Sequence, residues 1–314
     1  MNYDIYETIY PRVYRKEKDL LLAEKWLECN RSEYHKSIKK IADSPATNLS
    51  GKTIASELWF IAHYKMTSGC LGLLNETVEE GCEELNSGLE LLFWFYKIRL
   101  SLWDRNQEYT GMKVGKFASF LALAFVCHRN DICDWVYSQI LKDAKRTPSG
   151  ATDDQDSGRA FVAENDSYYT YYIVVLYSLF TGDEKLPLLF NELDKTLKNY
   201  FKGRDHDDPY LMILNDWNSQ NELKADNIEE MCILHFCSSE NNFNGLFELR
   251  EYPYVFWPVE IIMLYLVRKK LGLQTPVVKH QLFKSVYEVP AGAANTSTPL
   301  IEKISKWNND TFVQ

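Results

Sequence analysis

The chain has 314 residues, 46% of them hydrophobic and 25% charged, with 14 glycines and 10 prolines. That balance excludes a disordered or collagen-like polymer, and so few breakers over this length disfavour a many-turned β-fold. The formal net charge of −9, from 35 basic and 44 acidic side chains, argues against direct nucleic-acid binding, because phosphates require a basic surface.

In chain order, Leu22, Trp26 and Cys29 share one helical face. Asn30 is placed to cap a second helix carrying Tyr34, Ile38 and Ile41, which Ser44-Pro45 would end. A third helix is expected from Thr53 to Thr67, with Ile54, Leu58, Ile61 and Ala62 inward and Gly69 as its stop. The acidic stretch Glu76 to Glu84 is interrupted by Gly81 and leads into a helix marked by Leu85, Leu89, Leu92 and Tyr96, reaching Trp103. Gly111 and Gly115 flank the entry to a helix over Lys116 to Arg129, apolar nearly all round and therefore central. Asn130 then caps a helix to Lys145 with Ile132, Trp135, Val136 and Ile140 on one side.

Thr147 to Gly158 is the clearest loop, and helices are expected from Asp166 to Thr181 and, after Gly182-Asp183, over Leu186 to Tyr200 with Gly203 as the stop. Asp208-Pro209 is a cap followed by proline at the first helical position, where its missing N–H does no harm. Asp226 with Glu229 resembles a capping box opening a helix through Phe236. Trp257-Pro258 opens a helix ending at Leu271-Gly272, with Arg268, Lys269 and Lys270 set against the negative end of its dipole. Ala291 to Pro299 reads as a linker before a short helix with Leu300, Ile304 and Trp307. The expected fold is all-α, a bundle of antiparallel helical hairpins with about a dozen helices. Residues 1–146 form an N-terminal half and 159–314 a C-terminal half of one continuous domain, with the acidic loop 147–158 between.

The first residues carry no cationic start and no apolar core of a signal peptide. The best apolar run, Phe117 to Cys127, is about half the ~20 residues a membrane span requires. Seven cysteines without a framework spacing fit reduced thiols, and the expected location is the cytoplasm.

Charge is unevenly spread. Residues 151–230 hold 17 acidic and 7 basic side chains, and the rest of the chain is nearly neutral. Such a segment suits a basic protein partner, because opposite potentials speed encounter, although a solvated acidic face reads the same way. The candidate contacts are Asp153, Asp154, Asp156, Asp205, Asp207 and Asp208.

No catalytic constellation emerges. Cys127-His128 with Cys133, and Cys232, His235 and Cys237, lack the tight paired spacing of zinc sites and read as buried thiols with a satisfied histidine. No G-x-S-x-G elbow is present, and Gly69-Cys70-Leu71-Gly72 is followed by no Lys-Ser/Thr. His206 among acids could act as a proton switch, or only precede the capped helix. No cofactor and no metal are expected. The enzyme alternative is a helical carbohydrate-active protein using paired carboxylates beside some of its 20 tyrosines, 16 phenylalanines and 8 tryptophans. A helical adaptor is the third possibility.

Three stretches resemble immunity proteins of bacterial polymorphic toxin systems, the immunity protein 49 family above all, with likeness to PoNi-type immunity proteins. They are Phe117 to Phe125 followed by Arg129-Asn130-Asp131; Gly182-Asp183 through Phe190-Asn191-Glu192-Leu193, Leu197 and Tyr200; and Tyr254-Val255-Phe256-Trp257-Pro258-Val259-Glu260 through Arg268, then Leu271-Gly272-Leu273. The resemblance implies a helical, non-enzymatic protein that binds and occludes a cognate toxin in interbacterial competition, such as that driven by type VI secretion. It carries over no catalytic residue.

Overall fold

Ten α-helices form, and no strand occurs among the described residues. The computed structural model describes residues 16–44, 49–105, 114–146, 167–183, 208–217, 225–239, 252–276, 278, 280, 282, 289 and 298–312. The helices are α1 (Lys16–Asp43), α2 (Gly51–Leu74), α3 (Val78–Asp104), α4 (Val114–Val126), α5 (Asn130–Arg146), α6 (Ser167–Thr181), α7 (Pro209–Asp216), α8 (Ala225–Ser239), α9 (Val259–Lys270) and α10 (Pro299–Phe312). None of the described helices is long and apolar enough to cross a membrane. The chain divides into two compact units. The middle unit is built on Met112–Glu288, and the flanking unit on Glu17–Gly111 with Val289–Gln314. The loop 147–158 and the helix expected over Leu186 to Tyr200 lie outside the described residues.

The flanking unit is organised on the α2–α3 hairpin. Ser50 caps α2, its side chain accepting from Thr53 N–H. Gly69 does not stop this helix, and Gly81 does not break α3. Both sit where the antiparallel backbones touch. A Cβ on Gly69 would lie 2.5 Å from Leu85 N and 2.7 Å from Gly81 O, and one on Gly88 2.8 Å from Met66 N. Glycine here permits close approach rather than a turn. Lys65 pairs with Glu84 at 2.9 Å across the same seam.

Helix α1 runs unbroken through Asn30, whose side-chain amide donates to Trp26 O four residues back instead of capping a new helix. Its apolar register also differs from the expected face. Ile41 is buried as expected, but nearer the start Ala23 is buried whereas Leu22 is 43% exposed and Cys29 lies at the surface. Tyr34 stacks on Tyr64 at 4.1 Å, and Trp26 sits 6.3 Å from Phe60, so aromatic rings space α1 from α2. Helix α10 packs on α3, where the Arg105 guanidinium covers the Phe312 ring at 5.0 Å.

The middle unit is built round α4. Every residue from Phe117 to Cys127 is at most 5% exposed, as expected of a central helix. Each large apolar side chain buried this way contributes roughly 1.5–3 kcal/mol relative to exposure. Helices α5, α6 and α9 surround it. Helix α4 ends at Val126 rather than Arg129, because His128 turns left-handed (φ 57°) while Arg129 N–H donates to Ala124 O. Arg129 then pairs with Asp131 through two bonds of 2.8 and 2.9 Å at the start of α5. Gly182 (φ 72°) and Gly272 (φ 69°) end α6 and α9 in the same manner. Pro258 opens α9, and Arg268, Lys269 and Lys270 occupy its last turn as expected. Helix α8 begins at Ala225, so Asp226 lies inside its first turn instead of preceding it, still facing the positive end of the dipole.

Candidate functional site

The six acidic candidates are only partly placed. Asp153, Asp154, Asp156, Asp205 and Asp207 lie outside the described residues. Asp208 is the N-cap of α7, its carboxylate accepting from Tyr210 N–H at 2.9 Å and Leu211 N–H at 3.2 Å. Nearby, Asp216 accepts from the Asn227 amide at 2.9 Å. These two carboxylates of the acidic segment are therefore engaged inside their own unit.

Cys127 and Cys133 are buried, His128 projects to the surface, and the Cys133 thiol is 3.9 Å from Leu121 O. Burial pushes the Cys133 and Cys232 thiols well up, which makes them poor nucleophiles. Among the described residues no group of three or more His, Cys, Asp or Glu side chains is gathered to hold a metal.

The densest buried chemistry lies elsewhere, between α6, α7, α8 and α9. His235 on α8 and Glu260 on α9 are both fully buried and meet at 2.6 Å, Nδ1 to Oε1. Tyr172 on α6 donates to Glu260 O at 3.4 Å. Tyr210 on α7 packs its ring 5.0 Å from Tyr172 and 5.6 Å from Tyr169. Burial first, and the Glu260 charge second, push both Tyr172 and Tyr210 well above the usual phenol range. Two turns along α9, the buried Arg268 guanidinium bonds Thr275 and Gln274 O and lies 5.2 Å over the Trp217 ring.

Local pattern could show that His235 sits on a helix with Cys232, but not that its partner is Glu260, 25 residues away on another element. The only prior sign was Glu260 one residue past Val259, two past the helix-opening proline, on the apolar side of α9.

Two titrating groups of this unit act in opposite senses. Burial, with the nearby His235 charge, lowers His280 to about 4 from its ordinary 6.5. Leu282 N–H donates to its Nδ1, which only a neutral ring can accept. Burial raises Asp208 to about 6 from 3.8, against its two backbone N–H bonds. As pH falls from 6.5 to 4, the unfolded state takes up the His280 proton first, and stability is lost. As pH falls from 6 to 3.8, the folded state takes up the Asp208 proton first, and stability is gained. The two contributions oppose each other over one window. Asp208→Asn, which keeps a good cap, is expected to steepen acid destabilisation, and His280→Gln to reverse it. Each change is on the order of 1–2 kcal/mol after allowance for solvent screening. Urea midpoints at pH 7 and near pH 4.5 provide the check. Parallel pH profiles for wild type and both variants would refute it.

The flanking unit carries a shallow cleft of about 440 Å³ between α3 and α10, lined by Trp94, Ile301, Glu302, Ser305, Lys306, Asn309 and Asp310.

Comparison with protein-family models, curated proteins and solved structures finds no match to this chain.

Proposed function

We propose that this chain is an immunity-type protein that neutralises a cognate bacterial toxin by direct binding and occlusion of its active site, without catalysis of its own. The observation that carries the reading is the concentration of surplus negative charge in residues 151–230. A toxin acting on nucleic acid or nucleotides presents a basic surface to its substrate, and an acidic inhibitor competes for it. Two of the three stretches that resemble immunity proteins supply α4 and α9, which pack on each other in the middle unit. Their residues Phe117, Phe120, Trp257 and Glu260 are buried, which suits a scaffold role for those stretches and leaves the contacts to the acidic segment 151–230. On this proposal both the toxin's target and this protein are expected in the cytoplasm.

The test expresses the toxin-like product of the gene immediately upstream in a bacterial host, with and without this chain. Rescue of growth and a purified complex are the expected results. Changing Asp153, Asp154 and Asp156 together to Asn is expected to slow association and to flatten its dependence on salt between roughly 50 and 300 mM, where screening of exposed charges strengthens. A folded chain that neither rescues growth nor binds would overturn the reading, and turnover of a glycan would replace it with the enzyme alternative.

A further inference from the structure

Glu260 is 0% exposed, and His235 occupies only one of its two carboxylate oxygens. The other, Oε2, is buried and has no hydrogen-bond partner among the described residues, and the same is true of the Tyr210 hydroxyl. Tyr210 is 1% exposed. These two groups belong to one neighbourhood. The Tyr172 hydroxyl bonds Glu260 O, the Tyr172 and Tyr210 rings lie 5.0 Å apart, and the Glu260 charge acts on both phenols. A carboxylate oxygen and a phenol buried together are complementary, one accepting and the other donating, yet they do not bond directly. Arg268 Nη1 is also buried without a partner among the described residues, and its charge acts on Tyr172, whereas the groups acting on Tyr210 are Glu260, Tyr169, Asp208 and Tyr172.

We propose that this spot is a binding site for one internal water molecule, which donates to Glu260 Oε2 and accepts from the Tyr210 hydroxyl. Buried waters take this kind of position, bridging polar groups that the chain itself leaves unmet. The site is selective for a small neutral molecule with both donor and acceptor. An anion is repelled by the carboxylate, and a cation lacks the ring of oxygen ligands it would require. The water extends the polar line from His235 through Glu260 to Tyr210, and so ties α8 and α9 to α7. Glu260 then has both oxygens occupied without a second charged partner. This inference is independent of toxin binding.

The first test is oxygen-17 water relaxation dispersion on the whole chain, which counts internal waters held longer than the protein tumbles. Tyr210→Phe removes one of the water's partners and leaves the ring packing intact. The dispersion amplitude is expected to fall by that of one water, or the residence time to shorten, in a variant whose helical circular dichroism matches wild type. Identical dispersion in the two proteins would overturn the proposal. Should Tyr210→Phe fail to fold, a high-resolution crystal structure of the unmodified chain decides. A water within about 2.6–3.2 Å of both atoms is expected. A direct Tyr210–Glu260 bond, or a dry gap, refutes it.

Discussion

Replacing Gly69 with alanine is expected to destabilise the protein by about 3 kcal/mol or more, although alanine is intrinsically the better helix former by about 1 kcal/mol. The sign reverses because of what the new methyl would meet. Its nearest atoms are Leu85 N, Gly81 O and Leu85 Cα, at 2.5, 2.7 and 2.8 Å, all backbone of the facing helix. Backbone cannot turn aside as a side chain can, so α2 and α3 would have to separate along their length and lose buried contacts between them. Gly51 provides the control. A Cβ there would also meet an atom at 2.9 Å, but that atom is the end of the Leu102 side chain, which can change rotamer. Gly51→Ala is therefore expected to be within roughly 1 kcal/mol of wild type. Gly182 separates the other cause of glycine preference. Nothing lies within 4 Å of its Cβ position, and its cost on substitution comes from the positive φ alone, about 1–2 kcal/mol. Urea denaturation of the three variants reads the ranking. If Gly69→Ala were as mild as Gly51→Ala, the close helix seam would be disproved.

Removing one member of the His235–Glu260 pair is expected to cost about 3–5 kcal/mol, because the remaining group stays buried without its partner. Both side chains are fully buried and the contact is 2.6 Å. His235→Leu strips the carboxylate of its bonded nitrogen, and Glu260→Leu strips the imidazole. Replacing both together removes the stranded group along with the pair. The double variant is expected to be clearly more stable than the sum of the single losses implies, since well-packed apolar residues often substitute for a buried ion pair at little cost. Denaturation free energies for the four proteins form the cycle. Additive losses would show that the two groups do not act on each other.

How far the sequence carried the fold depended on whether the decisive interaction was local. The Asp208-Pro209 cap and the Leu271-Gly272 stop were legible because the chemistry is complete within a few residues: a carboxylate over two N–H groups, a proline with no N–H to lose, a glycine at positive φ. The burial of Phe117 to Cys127 was legible from an apolar surface without a polar face. Asn30, Gly69 and Gly81 misled because asparagine and glycine have two uses that look alike in a sequence. Each can end a helix. Asn30 instead satisfies itself on the preceding turn, and the two glycines serve a partner helix that no local window contains. His128 misled in the opposite direction, since a left-handed histidine carries no composition signal. At the candidate site, His235 and Cys232 stood out as residue types, but Glu260, Tyr172 and Tyr210 join them only through packing of four helices. Five of the six carboxylates proposed to meet a partner lie outside the described residues, and the sixth, Asp208, is occupied as a cap.

The central position of α4 has a consequence for biosynthesis. Its neighbour α9 lies roughly 130 residues further along the chain, so at ~5–20 residues per second a ribosome needs roughly 7–26 s to deliver the helix that completes its cover. Throughout that interval one of the oiliest segments of the polypeptide is made but covered by α5 and α6 at most. The flanking unit faces a longer delay, since α10 lies roughly 200 residues beyond α3, on which it docks. Neither core can close until these distant helices have been made, which makes chaperones that hold an emerging chain natural attendants of this one.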